Sequence, residues 1–194
     1  MRPNWFLAVP FTNLNIKSCM ENVQKSVVHL RPKLSEACVS VKKAHLTLFV
    51  FHLKNQEEID KVIEIVQKVT EKVEFDEQIQ IEANQIGHFQ HRVIFFKLNL
   101  PPKLLDLRQE IGQNLLENGI KIEDNFTPHL TVMKLSQMKK KVKKIDENLY
   151  QEFSQDFFGV QNVKLIELLS MNLPIQDNGY YFCQKEFPLK INQA

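Results

Sequence analysis

The sequence predicts an α+β fold. Three observations carry that expectation. Runs rich in β-branched and aromatic residues alternate with stretches whose apolar residues recur at helical spacing. Their order (strand, helix, strand, helix, strand, strand, helix, strand, helix, strand, strand) is too irregular for a βαβ repeat. The chain has 194 residues, 43% hydrophobic and 25% charged, which suits an ordinary globular unit with a sizeable core. No linker separates two independent units, so residues 1–194 are expected to form a single domain.

The elements follow in order. Residues 5–9 form a short apolar run stopped by Pro10, which reads as a buried strand. Asn13 or Asn15 caps a helix to about His29, with Ile16, Met20, Val23, Val27 and Leu30 on its apolar stripe. Residues 33–41 read as a loop and residues 44–53, β-branched and aromatic, as a strand. Asn55 caps a second helix, with Ile59, Val62, Ile63, Val66 and Val69 inward. Ile79 and Ile81 alternate with polar residues as a short strand, Gly87 marks a turn, and residues 93–98 form the next strand. Pro101 and Pro102 open a third helix, with Leu104, Leu105, Ile111, Leu115 and Leu116 inward, and Gly119 ends it. Residues 129–135 form a strand, and a short helix is expected around residues 146–157. Residues 163–173 and 180–187 read as strands joined at Asp177-Asn178-Gly179, a hairpin signal.

Composition excludes several function classes. Twenty-five basic against 23 acidic residues give a net charge of +2, which neither demands nor forbids a polyanionic partner. Five glycines and eight prolines exclude collagen-like and low-complexity architectures. Three cysteines, widely spaced and odd in number, argue for free thiols in a reducing compartment and against a disulfide framework. No apolar run reaches the roughly 20 residues a membrane span needs, and the apolar part of the N-terminus is too short for a signal peptide. The expected location is the cytoplasm or the nucleus, away from membranes. Neither a GxGxxG nor a GxxxxGK[ST] phosphate loop is present.

The strongest motif is a repeated tripeptide. Ala44-His45-Leu46-Thr47-Leu48 is matched 84 positions later by Pro128-His129-Leu130-Thr131-Val132, each at the start of a predicted strand. Residues i and i+2 of a strand share a face. Each histidine therefore projects beside its threonine, while the intervening leucines face a core. Such a set suits phosphodiester chemistry. An imidazole titrates near pH 6.5, so one ring can be neutral while the other is protonated. One deprotonates an attacking hydroxyl, and the other protonates the leaving oxygen. Each such step contributes on the order of 10²–10⁴-fold. Thr47 and Thr131 would donate hydrogen bonds to the nonbridging phosphate oxygens. No cofactor and no metal are required. His88 and His91 form an HxxH pair, but no cysteine or carboxylate cluster accompanies it as a metal site.

Two H-x-T motifs about 80 residues apart resemble the 2H phosphoesterase (LigT-like) superfamily. Residues 4–10, 44–53, 126–136, 143–146 and 178–181 are similar to the central domain of its A-kinase anchoring protein 7/18 branch. The resemblance runs from about residue 4 to residue 187 and implies a bilobal fold, with two pseudo-symmetric sheet-and-helix lobes around a central groove. It implies His45 and His129 as the catalytic pair, with Thr47 and Thr131 on the phosphate. The partner implied is a short oligonucleotide, with 2′,5′-oligoadenylate preferred, or a nucleoside monophosphate. The kinase regulatory-subunit helix of the anchoring proteins would follow this domain, and with only residues 188–194 remaining, kinase anchoring is not carried over.

Two further features bear on substrate binding. Phe6, Phe126, Tyr180 and Tyr181 lie in the family-like segments as candidates for base stacking. Lys134, Lys139, Lys140, Lys141, Lys143 and Lys144 form a basic cluster after the second motif, which would attract phosphates.

Overall fold

The computed structural model describes residues 2–123 and 125–192. Ten strands and three α-helices follow one another among these residues: β1 (Trp5–Pro10), α1 (Leu14–Leu30), β2 (His45–Phe51), α2 (Gln56–Lys72), β3 (Glu74–Phe75), β4 (Ile79–Phe89), β5 (Val93–Asn99), α3 (Pro102–Glu117), β6 (His129–Lys134), β7 (Phe157–Val163), β8 (Leu165–Ser170), β9 (Cys183–Pro188) and β10 (Lys190–Ile191). No helix among the described residues is long and apolar enough to cross a membrane.

The strands form two antiparallel four-stranded sheets, in the orders β2-β1-β8-β9 and β6-β5-β4-β7. A two-stranded parallel pair, β3 with β10, closes off the end of α2. The two large sheets repeat one plan. Each has an H-x-T strand at one edge, joined to its neighbour through a helix: β1–α1–β2 in the first and β5–α3–β6 in the second.

Helix starts follow from capping. Asn13 accepts hydrogen bonds from the Asn15 and Ile16 amides at 2.8 and 3.1 Å, which fixes the first turn of α1. Asn55 does the same for the Glu58 amide in α2. Proline at the first position starts α3, where no amide proton is needed.

The helices are exchanged between the sheets. α1, which joins two strands of the first sheet, packs on the second. Ile16 lies over Gly159 of β7, and the Gln24 side-chain amide donates to the Val39 and Val132 carbonyls. Buried Gln161 of β7 accepts from the amides of Thr12 and Asn13. Conversely, α3, which joins two strands of the second sheet, packs on the first. Gly112 sits against the Phe49 ring, and Arg108 Nε donates to the Leu48 carbonyl at 3.2 Å. One continuous core runs between the sheets and helices, from Leu7 and Phe49 to Phe96, Ile111 and Phe158. Complete burial of such a side chain contributes roughly 1.5–3 kcal/mol.

Several expectations from the sequence need correction. Gly87 is no turn. It lies within β4, paired with Phe95, and the reversal comes at residues 90–92, where Gln90 and His91 take positive φ. Residues 146–157 hold two short 3₁₀ turns instead of a helix, and β7 begins at Phe157. The loop at residues 33–41 is largely 3₁₀ turn. Leu30, Leu105 and Leu116 point to solvent, while Ile65 and Leu107 take inward positions. Tyr180 and Tyr181 precede β9, in the connection from β8.

Candidate active site

Both H-x-T strands carry a β-bulge at the same place. In β2, Ala8 pairs with Thr47 and Leu7 with Phe49, leaving Leu48 as the extra residue. In β6, Phe95 pairs with Thr131 and Ile94 with Met133, leaving Val132. A bulge buries two consecutive side chains and then resets the alternation. Leu48 with Phe49, and Val132 with Met133, are accordingly buried pairs. Val50 then returns to the face of His45 and Thr47, and Lys134 to the face of His129 and Thr131.

The two edge strands β2 and β6 meet, and Thr47 and His129 line one cavity of about 130 Å³. The local geometry of the histidines is repeated. His45 Nδ1 lies 2.7 Å from the Lys43 carbonyl, and His129 Nδ1 lies 2.6 Å from the Thr127 carbonyl. A carbonyl only accepts, so each Nδ1 carries the proton and each Nε2 is, in the neutral ring, an acceptor. The Thr47 hydroxyl donates to His45 Nε2 at 3.1 Å.

Burial, against the raising effect of the Lys43 carbonyl and with help from the charges of His129 and Lys134, brings the His45 imidazole down to about 4. Burial also lowers His129, again with help from Lys134 and against the Thr127 carbonyl. The two imidazoles thus share one electrostatic field, and the Lys134 ammonium reaches both. Of the lysine cluster, Lys134 alone has this effect. Lys144 instead pairs with Asp146.

Each imidazole is held by aromatic rings. Phe6 and Tyr181 lie 5.1 and 5.4 Å from His45, and Phe89 and Phe95 lie 5.0 and 5.2 Å from His129. Phe6 is 3% exposed, so it backs His45 and offers no open face for a base. The Tyr180 hydroxyl turns inward and donates to buried Glu167 at 2.7 Å. Burial and the neighbouring Glu167 carboxylate push the Tyr180 phenol well above its ordinary range. Tyr180 thereby anchors the loop that brings Tyr181 to His45. Phe126 lines the cavity, with the Arg108 guanidinium stacked 3.8 Å from its ring centre.

Sequence reasoning missed Arg108, Phe89 and Phe95. Arg108 had a signal, since it lies one turn after Leu104 on the buried stripe of α3, where a charged residue is out of place. Phe89 and Phe95 had none beyond being aromatic, because their approach to His129 depends on strand pairing. The HxxH pair does not converge on a metal position. The His88 and His91 rings stack 3.7 Å apart, and His91 Nδ1 is bonded to the Tyr150 hydroxyl. Glu167, Cys183 and Glu186 bring three potential ligand atoms within 4.8 Å of one another. Burial and the two carboxylates push the Cys183 thiol up to about 12, and Glu167 is already bonded to Tyr180.

Paired lobes, each presenting an H-x-T edge strand to a shared cleft, define the 2H phosphoesterase fold. A Thermus thermophilus protein, TT0787, superposes with a TM-score of 0.70 at 18% identity, covering 98% of this chain and all of that one. E. coli LigT, in a crystal structure with 3′-AMP, superposes with a TM-score of 0.59 at 16% identity, covering 97% of this chain and 98% of LigT. The chain belongs to the AKAP7 2′5′ RNA ligase-like domain family, whose pattern matches residues 3–189. Human A-kinase anchor protein 7 isoform gamma is 34% identical over 196 residues, which is 94% of this chain and 56% of that protein. The chain thus spans little more than half of that relative's length. An RNA 2′,3′-cyclic phosphodiesterase of Thermotoga maritima is 24% identical over 138 residues, 66% of this chain and 72% of that enzyme. The family assignment supports phosphodiesterase chemistry in general.

Proposed function

We propose that this protein is a metal-independent phosphodiesterase that cleaves 2′,5′-linked oligoadenylates by two-histidine general acid–base catalysis. The observation that supports the reading best is the matched pair of imidazoles, each with Nδ1 tied to a carbonyl, on two strands that meet at a cavity lined by Thr47 and His129; the Thr47 hydroxyl, bonded to His45 Nε2 in the free protein, would turn to the phosphate. The 2′,5′ preference draws support from the family's description as 2′5′ RNA ligase-like.

In this reaction the internucleotide phosphate lies between the histidines. His45, the more strongly depressed imidazole, is neutral at pH 7 and takes the proton of the adjacent 3′-hydroxyl. The 3′-oxygen attacks phosphorus, and the bond to the 5′-oxygen breaks. His129 gives that oxygen its proton, leaving a 2′,3′-cyclic phosphate and a shortened chain. Thr47 and Thr131 donate to the nonbridging oxygens, and Lys134 offsets their charge. A second reading, opening of 2′,3′-cyclic phosphates, is favoured by the named activity of the Thermotoga relative and uses the same groups with water as nucleophile. Incubation with 2′,5′- and 3′,5′-linked triadenylates and 2′,3′-cyclic AMP, with and without EDTA, separates these readings. Absence of turnover on all three would sink both and leave nucleotide binding.

The pH profile follows from the depressed imidazoles. The base form of His45 exists above about pH 4. The acid form of His129 is lost as pH rises through a value below the ordinary 6.5. A plot of kcat/KM is therefore expected to be a bell centred in the mildly acidic range. The two limbs belong to the coupled pair. A flat profile from pH 4 to 8 would contradict the assignment.

Lys134→Ala is expected to raise KM about tenfold, the loss of one charged hydrogen-bonding group. It should also move the alkaline limb upward, because the Lys134 charge lowers His129. Steady-state kinetics across pH read both effects.

A further inference from the structure

The cleft extends beyond the phosphate position. A second cavity of about 390 Å³ adjoins the first, and Val50 and Glu123 line both. We propose that it is a nucleoside subsite, which holds the base and sugar on one side of the scissile phosphate of an oligonucleotide. The proposal rests on the phosphodiesterase reading and adds a requirement for a second nucleotide.

Continuity is the first argument. The bulge in β2 turns Val50 to the face of His45 and Thr47, and the chain then leads to His52, which lines the second cavity. From Thr47 to His52 an extended chain advances roughly 16 Å, enough to seat a nucleoside beside a phosphate held at Thr47. Size is the second. The cavity of about 130 Å³ at Thr47 and His129 accommodates a phosphate and little else, whereas about 390 Å³ lies within the range of small-ligand sites, roughly 300–1,000 Å³.

Chemistry is the third. His52 Nδ1 lies 2.8 Å from the Arg2 carbonyl and must donate to it, so Nε2 is left as an acceptor suited to an exocyclic amine. Leu53 and Ile122 supply apolar surface for a base. Lys121 lines the cavity and makes no ion pair among the described residues, which suits a flanking phosphate. Lys54 and Glu58, paired at 3.6 Å, form another wall.

The test reads binding, so it does not depend on turnover. A His45→Asn variant is titrated calorimetrically with 5′-AMP and with 2′,5′- and 3′,5′-linked diadenylates. At least one diadenylate is expected to bind about tenfold tighter than AMP, equivalent to about 1.4 kcal/mol. That margin should fall below about threefold when His52→Ala and Lys121→Ala are added. Lys121→Glu alone, at a surface position, serves where the His52 change disturbs folding, and should narrow the margin in the same direction. AMP binding as tightly as both diadenylates, or a margin that survives the substitutions, would overturn the subsite while leaving the catalytic reading intact. Absence of binding by all three ligands, together with absence of cleavage by the unmodified protein, would instead remove the functional reading and the subsite with it.

Discussion

His45→Ala or His129→Ala is expected to lower kcat/KM for phosphodiester cleavage by about 10²–10⁴-fold each, the usual contribution of a positioned acid or base. The double variant should be little worse than the poorer single one, because both groups act in one proton-transfer sequence. The paired geometry underlies this expectation: each ring is fixed as the Nδ1–H tautomer by a carbonyl two residues earlier, and the rings interact through their charges. His45→Gln tests position apart from chemistry, since it keeps a polar side chain at the strand edge but cannot shuttle a proton. Activity should survive EDTA in the unmodified protein. A variant lacking either imidazole yet cleaving within threefold of the unmodified rate would defeat the mechanism.

Gly87→Ala is expected to destabilise the protein by about 1–3 kcal/mol, the usual range for overpacking. In an ordinary strand the same change would help, since glycine interiors cost roughly 0.5–1 kcal/mol relative to alanine. Here the new methyl would lie 2.5 Å from Phe95 Cε2. The Phe95 ring cannot swing away freely, for it is 5% exposed, packed 4.5 Å from Phe89 and 5.2 Å from His129. The clash therefore outweighs the gain in chain stiffness. Because Phe95 leans on His129, kcat should also fall, by up to roughly 10²-fold for a displacement near 1 Å. Urea denaturation and turnover on the same preparation check both effects. A midpoint equal to or above that of the unmodified protein would refute the packing argument.

The catalytic candidates were legible because they sit in a local pattern. H-x-T needs only strand alternation to place two side chains together, and the second copy made the pattern specific. Asn13 and Asn55 were legible for a similar reason, since a cap acts within four residues. What failed depended on pairing between distant segments. The bulges at Leu48 and Val132 exist only through the register with β1 and β5, so nothing local disclosed that Lys134 returns to the histidine face. Gly87 misleads because an isolated glycine often marks a turn. Its actual reason is the close approach of the Phe95 ring across the sheet. Leu149, Phe153 and Phe157 are spaced four apart, which imitates a helix; the chain instead makes two 3₁₀ turns and enters β7. The aromatic candidates divided for the same reason. Burial of Phe6 and the inward hydroxyl of Tyr180 are decided by β8 and its loop, far along the sequence.

The exchanged helices bear on how the two halves move. Since α1 braces β6 and β7, and α3 braces the strand bearing His45, neither half owns a full set of buried partners. Pulling the jaws apart would strip apolar surface from both at once. The slot between them is therefore expected to be preformed, so that under the proposed function a ligand would enter along its open rim instead of being clasped by a swinging lobe. Under the proposed function, selectivity for linkage and base would then reside in the fixed contour of the walls.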